Sequence, residues 1–285
     1  MKVEILNPHG YCAGVKRAIQ IALDASNNTL TKRPIYLLGN LIHNKQVTSA
    51  LTSKGIITIE EKNRTRLQML DDIESGTVIF SAHGISNKVR EKAKSKGLNI
   101  IDASCGKVLI IHKKVLEYLE KGYEIIYIGK AHHPECEAIL EESDHIHLIT
   151  KKSDINLLNI NCEKIYVTNQ TTLSSLETKE IYDTIQAKYP KAYLDNNICN
   201  ATTLRQNAIL NAKGFDLCIV VGDVMSSNSK RLCEIANSNN MASLLVETSK
   251  DLTDDIKKYN NILLTSGAST PEEVLNDVYN HLINM

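Results

Sequence analysis

Three cysteines recur at almost equal intervals along this 285-residue chain. Cys12, Cys105 and Cys199 are separated by 93 residues (105 − 12) and 94 residues (199 − 105). Each cysteine precedes a segment with helical periodicity, so each thiol is predicted at a helix N-terminus, where backbone N–H groups and the helix dipole stabilise a thiolate. If three repeated units bring these thiols to one point, they suit an iron–sulfur cluster in which one iron lacks a protein ligand.

Zinc bound by three cysteines and a histidine is the alternative for the same thiols. Such sites usually contain closely spaced pairs such as Cys-x2-Cys, and the sequence contains none. Cys218 lies in an apolar strand-like run and Cys233 in a helical one, so both are predicted to be core thiols. The other two cysteines outside the repeat are Cys136 and Cys162, and Cys136 adjoins Glu135, so its distance from the site is of interest.

Polar side chains recur at matching places in the three repeats. A strand-like run ends at Gly39, Gly129 and Gly222, and a polar cluster follows each glycine. In parallel sheets, ligands bind at the carboxyl ends of strands, where helix N-termini also point. A single histidine is more often structural, but three at repeated positions favour a site for an anion. The candidate donors to an anionic oxygen are His43, His83, His133, Ser226, Asn228 and Ser269.

Glu135 is the only acid in these repeated clusters. An acid beside an anion and a cluster is favoured to be protonated, which suits a general acid. The alternative is a structural acid in a helix first turn, because proline at the first helical position followed by glutamate is common, and Pro134 precedes it. Thr171 is either a positioning hydroxyl or a turn residue.

Strands and helices alternate along the whole chain, which predicts an α/β fold with parallel sheets. The spacing predicts three similar α/β units around a pseudo-threefold axis with a central iron–sulfur cluster. We expect the units over residues 13–104, 105–196 and 197–285, with an N-terminal strand within 1–12 attached to the third. One of the predicted helices covers 202–213.

The composition narrows the functional class. The chain has 33 basic and 33 acidic residues, so a general nucleic-acid-binding role lacks electrostatic support. No apolar run reaches the length that spans a membrane, and the first residues do not resemble a signal peptide. We therefore expect a cytoplasmic protein whose seven cysteines serve as thiols, metal ligands or redox groups rather than disulfides.

Eight motifs, in order and covering essentially the whole chain, resemble 4-hydroxy-3-methylbut-2-enyl diphosphate reductase, an enzyme of the non-mevalonate isoprenoid pathway. The motifs are Asn7-Pro8-His9-Gly10-Tyr11-Cys12-Ala13-Gly14-Val15, Ile42-His43-Asn44, Ser81-Ala82-His83-Gly84, Asp102-Ala103-Ser104-Cys105, His133-Pro134-Glu135, Gln170-Thr171-Thr172-Leu173-Ser174, Ile198-Cys199-Asn200-Ala201-Thr202-Thr203 and Ser226-Ser227-Asn228-Ser229.

The resemblance implies a 4Fe–4S cluster on Cys12, Cys105 and Cys199 and reductive loss of the substrate hydroxyl, which yields isopentenyl and dimethylallyl diphosphates. It also implies that Glu135 is the proton source. The implied supporting residues are His133 and Thr171 for the hydroxyl and the proton, and His43, His83, Ser226, Ser227, Asn228 and Ser269 for the diphosphate.

Two positions depart from the family pattern. Gly106 stands where the family usually has proline after its second cysteine, and Gly39-Asn40 stands where some members have His-Glu. The chain has neither a Gly-x-Gly-x-x-Gly motif nor a phosphate-binding Gly-x4-Gly-Lys-Ser/Thr motif. We therefore expect the electrons to come from a separate carrier of the ferredoxin or flavodoxin type.

Two other functions are compatible with the same residues. An enzyme resembling quinolinate synthase would also place one cluster cysteine in each repeat, but its condensation and dehydration need no electrons. A non-catalytic metal-binding protein with structural zinc is the second alternative. Turnover that requires a reductant would favour the reductase over the quinolinate-synthase-like enzyme. Metal analysis would distinguish an iron–sulfur enzyme from a protein with structural zinc.

Overall fold

The computed structural model describes residues 1–61 and 63–285. It confirms the predicted α/β class, with three four-stranded sheets in which neighbouring described strands pair in parallel. The strands are β1 Lys2–Ile5, β2 Ile35–Leu38, β3 Ile56–Ile59, β4 Thr77–Phe80, β5 Asn99–Asp102, β6 Glu124–Ile128, β7 Ile146–Ile149, β8 Ile165–Asn169, β9 Tyr193–Leu194, β10 Leu217–Val221, β11 Ala242–Val246 and β12 Asn261–Ser266.

Helices connect these strands. They are α1 Ala13–Asn27, α2 Lys45–Ser53, α3 Arg66–Met69, α4 Asn87–Ser95, α5 Gly106–Glu120, α6 Pro134–Leu140, α7 Ser175–Lys188, α8 Asn200–Asn211, α9 Ser227–Ser238 and α10 Glu272–Ile283. Short 3-10 turns cover Leu70–Asp72, Lys152–Leu157, Ser249–Asp251 and Asp254–Lys258. Along the described ranges, no helix combines the length and the apolar character that crossing a membrane requires.

The three sheets share one strand order. The first is β3-β2-β4-β5, the second β7-β6-β8-β9, and the third, from its other edge, β11-β10-β12-β1. The N-terminal strand β1 thus takes the position in the third sheet that β5 and β9 take in the other two, with Lys2 paired to Asn261. Chain order reverses between the two central strands of each sheet, and such switch points are where parallel sheets bind ligands.

The chain divides into two compact units. One, which we call the third-sheet unit, comprises Met1–Val15, His43–Lys45 and Cys199–Met285; the other, the two-sheet unit, comprises Lys16–Ile42 and Gln46–Ile198. The boundaries expected at 13–104, 105–196 and 197–285 stay a prediction.

One inner strand of each sheet is covered on both faces. Strands β4, β8 and β10 are buried along their full length, as expected for parallel sheets with crossover helices on both sides. Cys12 follows β1 and precedes α1, Cys105 lies between β5 and α5, and Cys199 lies between β9 and α8. The equal cysteine spacing therefore reflects one position in the repeated topology, the turn from the fourth strand into the next helix.

The helix predicted over 202–213 lies two residues earlier. It begins at Asn200, because the carbonyl of Cys199 already accepts hydrogen bonds from the backbone N–H groups of Thr202 and Thr203. It ends at Asn211, since Ala212 has extended backbone angles. The helix thus starts directly at the cysteine, which makes Cys199 its N-cap residue.

Candidate active site

Glu135 lies in the first turn of α6, at the carboxyl end of β6, and is 3% exposed. Thr171, just after β8, donates its backbone N–H to Oε1 of Glu135 and its hydroxyl to Oε2, both at 2.8 Å. The Tyr127 hydroxyl donates to Oε1 at 3.3 Å. The carboxyl group is thus buried between two strand ends rather than left as a surface acid of the first helical turn.

The surroundings of Glu135 set its protonation. Burial raises the pKa of Glu135 to about 7, while the donors from Thr171 and Tyr127 act in the opposite direction. The burial effect is larger because these donors are neutral and the penalty for an ionised carboxylate is high. A carboxyl group with a pKa close to neutral is available both to give and to recover a proton at physiological pH.

His133 is the N-cap residue of α6. Its Nδ1 accepts the backbone N–H of Glu135 at 3.2 Å. A neutral imidazole that accepts at Nδ1 carries its proton on Nε2. The His83 ring stands nearly perpendicular to the His133 ring, with 5.7 Å between ring centroids. The two-sheet unit therefore gathers His83, His133, Glu135 and Thr171 in one region.

Cys136 is next to Glu135 but has its own partner. Its thiol is buried and donates to Oε1 of Gln170 at 3.3 Å, and burial raises the pKa of the Cys136 thiol. A Cβ atom added at Gly129 would lie 2.4 Å from its sulfur. Glycine at the end of β6 is thus required for the first turn of α6, and with it Glu135, to sit against the strand ends.

The third-sheet unit has a matching arrangement at α9. Ser226 is the N-cap residue and accepts the backbone N–H of Ser229 at 3.3 Å. Ser227, Asn228 and Ser229 are buried in the first turn. Among the described residues, no hydrogen-bond partner exists for the Ser227 and Ser229 hydroxyls or for either amide atom of Asn228. Buried polar groups are normally paired, so this set indicates a binding site for a polar ligand at a helix N-terminus, where anions are favoured.

Two glycines allow the first turn of α9 to lie close to the ends of strands β10 and β12. A Cβ atom added at Gly222, after β10, or at Gly267, after β12, would lie 2.3 or 2.2 Å from the Ser229 hydroxyl oxygen. The start of α9 therefore lies at the switch point of the third sheet. Two residues beyond Gly267, the Ser269 hydroxyl donates to the carbonyl of His43 at 3.1 Å, which brings these two predicted residues together.

The two helix starts correspond residue by residue. Ser226 and His133 are the N-cap residues, and Asn228 and Glu135 are the second residues of the helices that follow. The repeated scaffold thus presents an acid at one switch point and an amide at the other, which suits proton transfer at the first and ligand binding at the second.

Each of the three repeated cysteines lies directly before a helix. All are half-buried, and over the described ranges every cysteine is a thiol rather than half of a disulfide. Cys105 and Cys199 are N-cap residues with nearly identical backbone angles, φ −64° and ψ 134° against φ −64° and ψ 133°. Cys105 belongs to the two-sheet unit, and Cys12 and Cys199 belong to the third-sheet unit.

The described side chains do not gather three or more His, Cys, Asp or Glu residues as ligands of one metal ion. An iron–sulfur cluster has no such requirement, because its cysteines bind separate irons. The half-buried position of each thiol at a helix N-terminus is compatible with a ligand of an iron–sulfur cluster.

A family model described as LytB protein matches residues 3–283. The chain belongs to the LytB family. It is 42% identical to the 4-hydroxy-3-methylbut-2-enyl diphosphate reductase of Lysinibacillus sphaericus, covering 99% of this chain and 88% of that protein. It is 43% identical to the reductase of the same name from Bacillus thuringiensis, covering 98% and 89%.

Solved structures of proteins with this activity in their names have the same fold. The E-1-hydroxy-2-methyl-but-2-enyl-4-diphosphate reductase of Plasmodium falciparum matches with a TM-score of 0.92 and 36% identity, over 99% of this chain and 88% of that one. A second structure, of (E)-4-hydroxy-3-methyl-but-2-enyl diphosphate reductase, matches with a TM-score of 0.68 and 28% identity over the full length of both chains.

Three residues of this LytB chain that shape the site were not found from sequence. Tyr127 lies in an apolar strand and resembles an ordinary core residue, Gln170 lies beside the Thr171 motif, and Arg205 lies within a helix. Of the three, only Gln170 could have been found from the sequence, since it belongs to the motif that contains Thr171. The contact of Arg205 with Gly10 in the Cys12 segment spans 195 residues, and that of Tyr127 with Glu135 joins a strand to the next helix, so neither has a local sequence pattern.

The raised pKa of Glu135 predicts a pH-dependent cost to stability. Below about pH 4.5 the carboxyl is protonated in both the folded and the unfolded chain, and between 4.5 and about 7 the unfolded chain ionises first. Wild type should therefore lose about 3 kcal/mol of folding free energy across this window relative to Glu135→Gln. Urea unfolding midpoints of both proteins at low and high pH measure the difference.

The exposed variant Glu91→Gln serves as the control, because its side chain is 68% exposed. It should follow wild type across the pH range. A Glu135→Gln protein whose stability relative to wild type is the same at low and high pH would contradict the assignment of a near-neutral pKa.

Proposed function

We propose that this LytB chain is a 4-hydroxy-3-methylbut-2-enyl diphosphate reductase that yields isopentenyl and dimethylallyl diphosphates. The observation that carries the proposal is the buried Glu135 carboxyl, bonded to Thr171 and with its pKa raised to about 7. Loss of a hydroxyl group needs a proton as the C–O bond breaks, because hydroxide is a poor leaving group. The names of the relatives support the same activity.

The cluster ligands in this proposal are Cys12, Cys105 and Cys199. When bound, a 4Fe–4S cluster supplies one-electron redox chemistry at an iron that has no protein ligand. The support from this chain is the half-buried thiols at helix N-termini. The protein's part is to hold these thiols as thiolates and to keep the site shielded from water.

The diphosphate is bound by His43, His83, Ser226, Ser227, Asn228 and Ser269. The unpartnered groups of Ser227 and Asn228 at the start of α9 are the strongest support, since they lack any other use in the fold. Several neutral donors and the positive end of a helix dipole hold an anion without a cluster of lysines, in agreement with the zero net charge.

Proton delivery belongs to Glu135, His133 and Thr171. Thr171 holds the Glu135 carboxyl with both its N–H and its hydroxyl, and the hydroxyl can pass a proton from Oε2 of Glu135 to the leaving oxygen. The Nε2–H of His133 is a second donor to that oxygen. Overall the C–O bond breaks, two electrons enter, the oxygen leaves as water, and a second proton adds to carbon.

The two electrons come from an external carrier of the ferredoxin or flavodoxin type in the cytoplasm. The sequence supports a separate carrier because it has no dinucleotide-binding glycine motif. Activity that needs an added reductant also separates this proposal from a quinolinate-synthase-like dehydratase, whose reaction consumes no electrons.

Changing Cys12, Cys105 or Cys199 to Ala should remove the iron–sulfur absorbance and the reductant-dependent conversion of 4-hydroxy-3-methylbut-2-enyl diphosphate. Anaerobically reconstituted proteins are compared by iron and sulfide analysis and by product formation. Cys218→Ala and Cys233→Ala are the controls, because burial raises the pKa of these thiols to about 12 and about 11. Loss of the cluster in a control, or zinc alone in wild type, would refute the ligand assignment.

Asn228→Ala should weaken binding of a diphosphate. A hydrogen bond to a charged group is worth roughly 1.5–3 kcal/mol, so the dissociation constant should rise roughly ten-fold or more. Calorimetry with isopentenyl diphosphate measures the change. Ser238→Ala, at the opposite end of α9, should bind like wild type, and equal affinities in both variants would exclude the α9 N-terminus as the diphosphate site.

A further inference from the structure

Arg205 is a buried arginine in α8, six residues after Cys199, with 4% of its surface exposed. Its guanidinium donates to the carbonyl of Gly10 at 2.7 Å and to the carbonyl of Ala201 at 3.0 Å. Gly10 lies two residues before Cys12, and Ala201 lies two residues after Cys199. A single side chain in the third-sheet unit thus joins the two segments that carry these cysteines.

The Cys12 segment is also held from its other side. The backbone N–H of Gly10 donates to the Ser266 hydroxyl at 2.8 Å, and that of Cys12 donates to the carbonyl of Ala268 at 3.1 Å. The end of β12 therefore fixes the N–H groups of this segment, while Arg205 fixes a carbonyl. Without the Arg205 contacts, the segment would lose its bond to α8.

The charge of Arg205 has no carboxylate partner among the described residues. Its Nε–H is buried and makes no hydrogen bond to the part of the chain that the structure describes. Burial lowers the pKa of Arg205, and the negative groups that act in the opposite direction are Cys12 and Cys199. A buried cation is costly unless an anion compensates it, and Cys12 and Cys199 are the groups near Arg205 that can become anions by binding a metal as thiolates.

We propose that Arg205 is a positioning residue for the iron–sulfur cluster, which clamps the Cys12 and Cys199 segments together and raises the reduction potential of the cluster. The inference rests on the proposed function. A cluster with three thiolate ligands is negatively charged, and one-electron reduction adds a further negative charge. A fixed, buried cation stabilises the reduced form more than the oxidised form, and both net charge and hydrogen bonding set such potentials.

Two variants separate the clamp from the charge. Arg205→Met removes both, so the reconstituted cluster should have a more negative reduction potential and lose iron to a chelator faster. Arg205→Lys keeps the charge but cannot donate to Gly10 and Ala201 with one planar group. Its potential should stay close to that of wild type, while its iron should be lost faster, roughly ten-fold for one lost bond to a charged group.

The matched control is Arg231→Met. Arg231 is also buried in the third-sheet unit, but it has an acid partner on its own helix, Glu234 at 2.6 Å. This variant should keep the wild-type potential and iron retention. Potentials are measured by redox titration with electron paramagnetic resonance detection of the reduced cluster.

Wild-type potential and wild-type iron retention in both Arg205 variants would overturn the inference. So would equal changes in Arg231→Met and Arg205→Met, because the effect would then follow from losing any buried arginine. Iron and sulfide analysis of the wild-type protein tests the proposed function separately. Wild type without a cluster refutes the proposed function, whereas a wild-type cluster that is unaffected by the Arg205 changes refutes only this inference.

Discussion

The close seating of a helix first turn against the ends of two parallel strands is the constraint on which the site depends. At α6 it requires Gly129 beside Cys136, and at α9 it requires Gly222 and Gly267 beside Ser229. The third residue of each helix fills the space that the glycines leave. The second residue is then buried at the switch point, where it meets groups from the neighbouring strand end.

The burial of charged and polar side chains determines the electrostatics of the site. Glu135 is buried among neutral donors, so its pKa rises to about 7 and the carboxyl can hold a proton at neutral pH. Arg205 is buried without a carboxylate, so its charge acts on the cysteine sulfurs. At α9 the buried groups are neutral and unpartnered. Among the described residues, the α9 groups and the Nε–H of Arg205 therefore lack hydrogen-bond partners, whereas the Glu135 carboxyl is hydrogen-bonded but costly to ionise.

Much of the fold was predictable because the repeat is regular. Glycine after the first strand and cysteine before the next helix mark the same points in each repeat, and the apolar runs between them are buried strands. Strand β9 could not be predicted from the sequence, because it has only two residues, Tyr193 and Leu194. Long-range contacts support it, namely pairing with β8 and the stacking of Tyr193 on Tyr166. No local pattern records such contacts.

The site was predictable to a different degree. Motif positions indicated Glu135 and Thr171, and the structure adds that they bond through both oxygens of the carboxyl. The near-neutral pKa could not be predicted, because it comes from burial of the carboxyl in the fold, where it meets Thr171 from 36 residues away. The partnership of Arg205 with the Cys12 segment spans 195 residues. The spacing in the sequence shows which residues recur, whereas the packing of the fold determines how far the pKa of each one is shifted.

The central claim is that Glu135 supplies the proton that accompanies loss of the hydroxyl. Single-turnover conversion by chemically reduced, reconstituted Glu135→Gln protein tests it most directly, because the amide keeps the size but cannot transfer a proton at neutral pH. The Glu135→Gln protein should have an intact cluster and near-normal diphosphate binding. Its single-turnover rate should be lower than that of wild type by roughly 10²–10⁴. A rate within a few-fold of wild type, with the cluster intact, would contradict it.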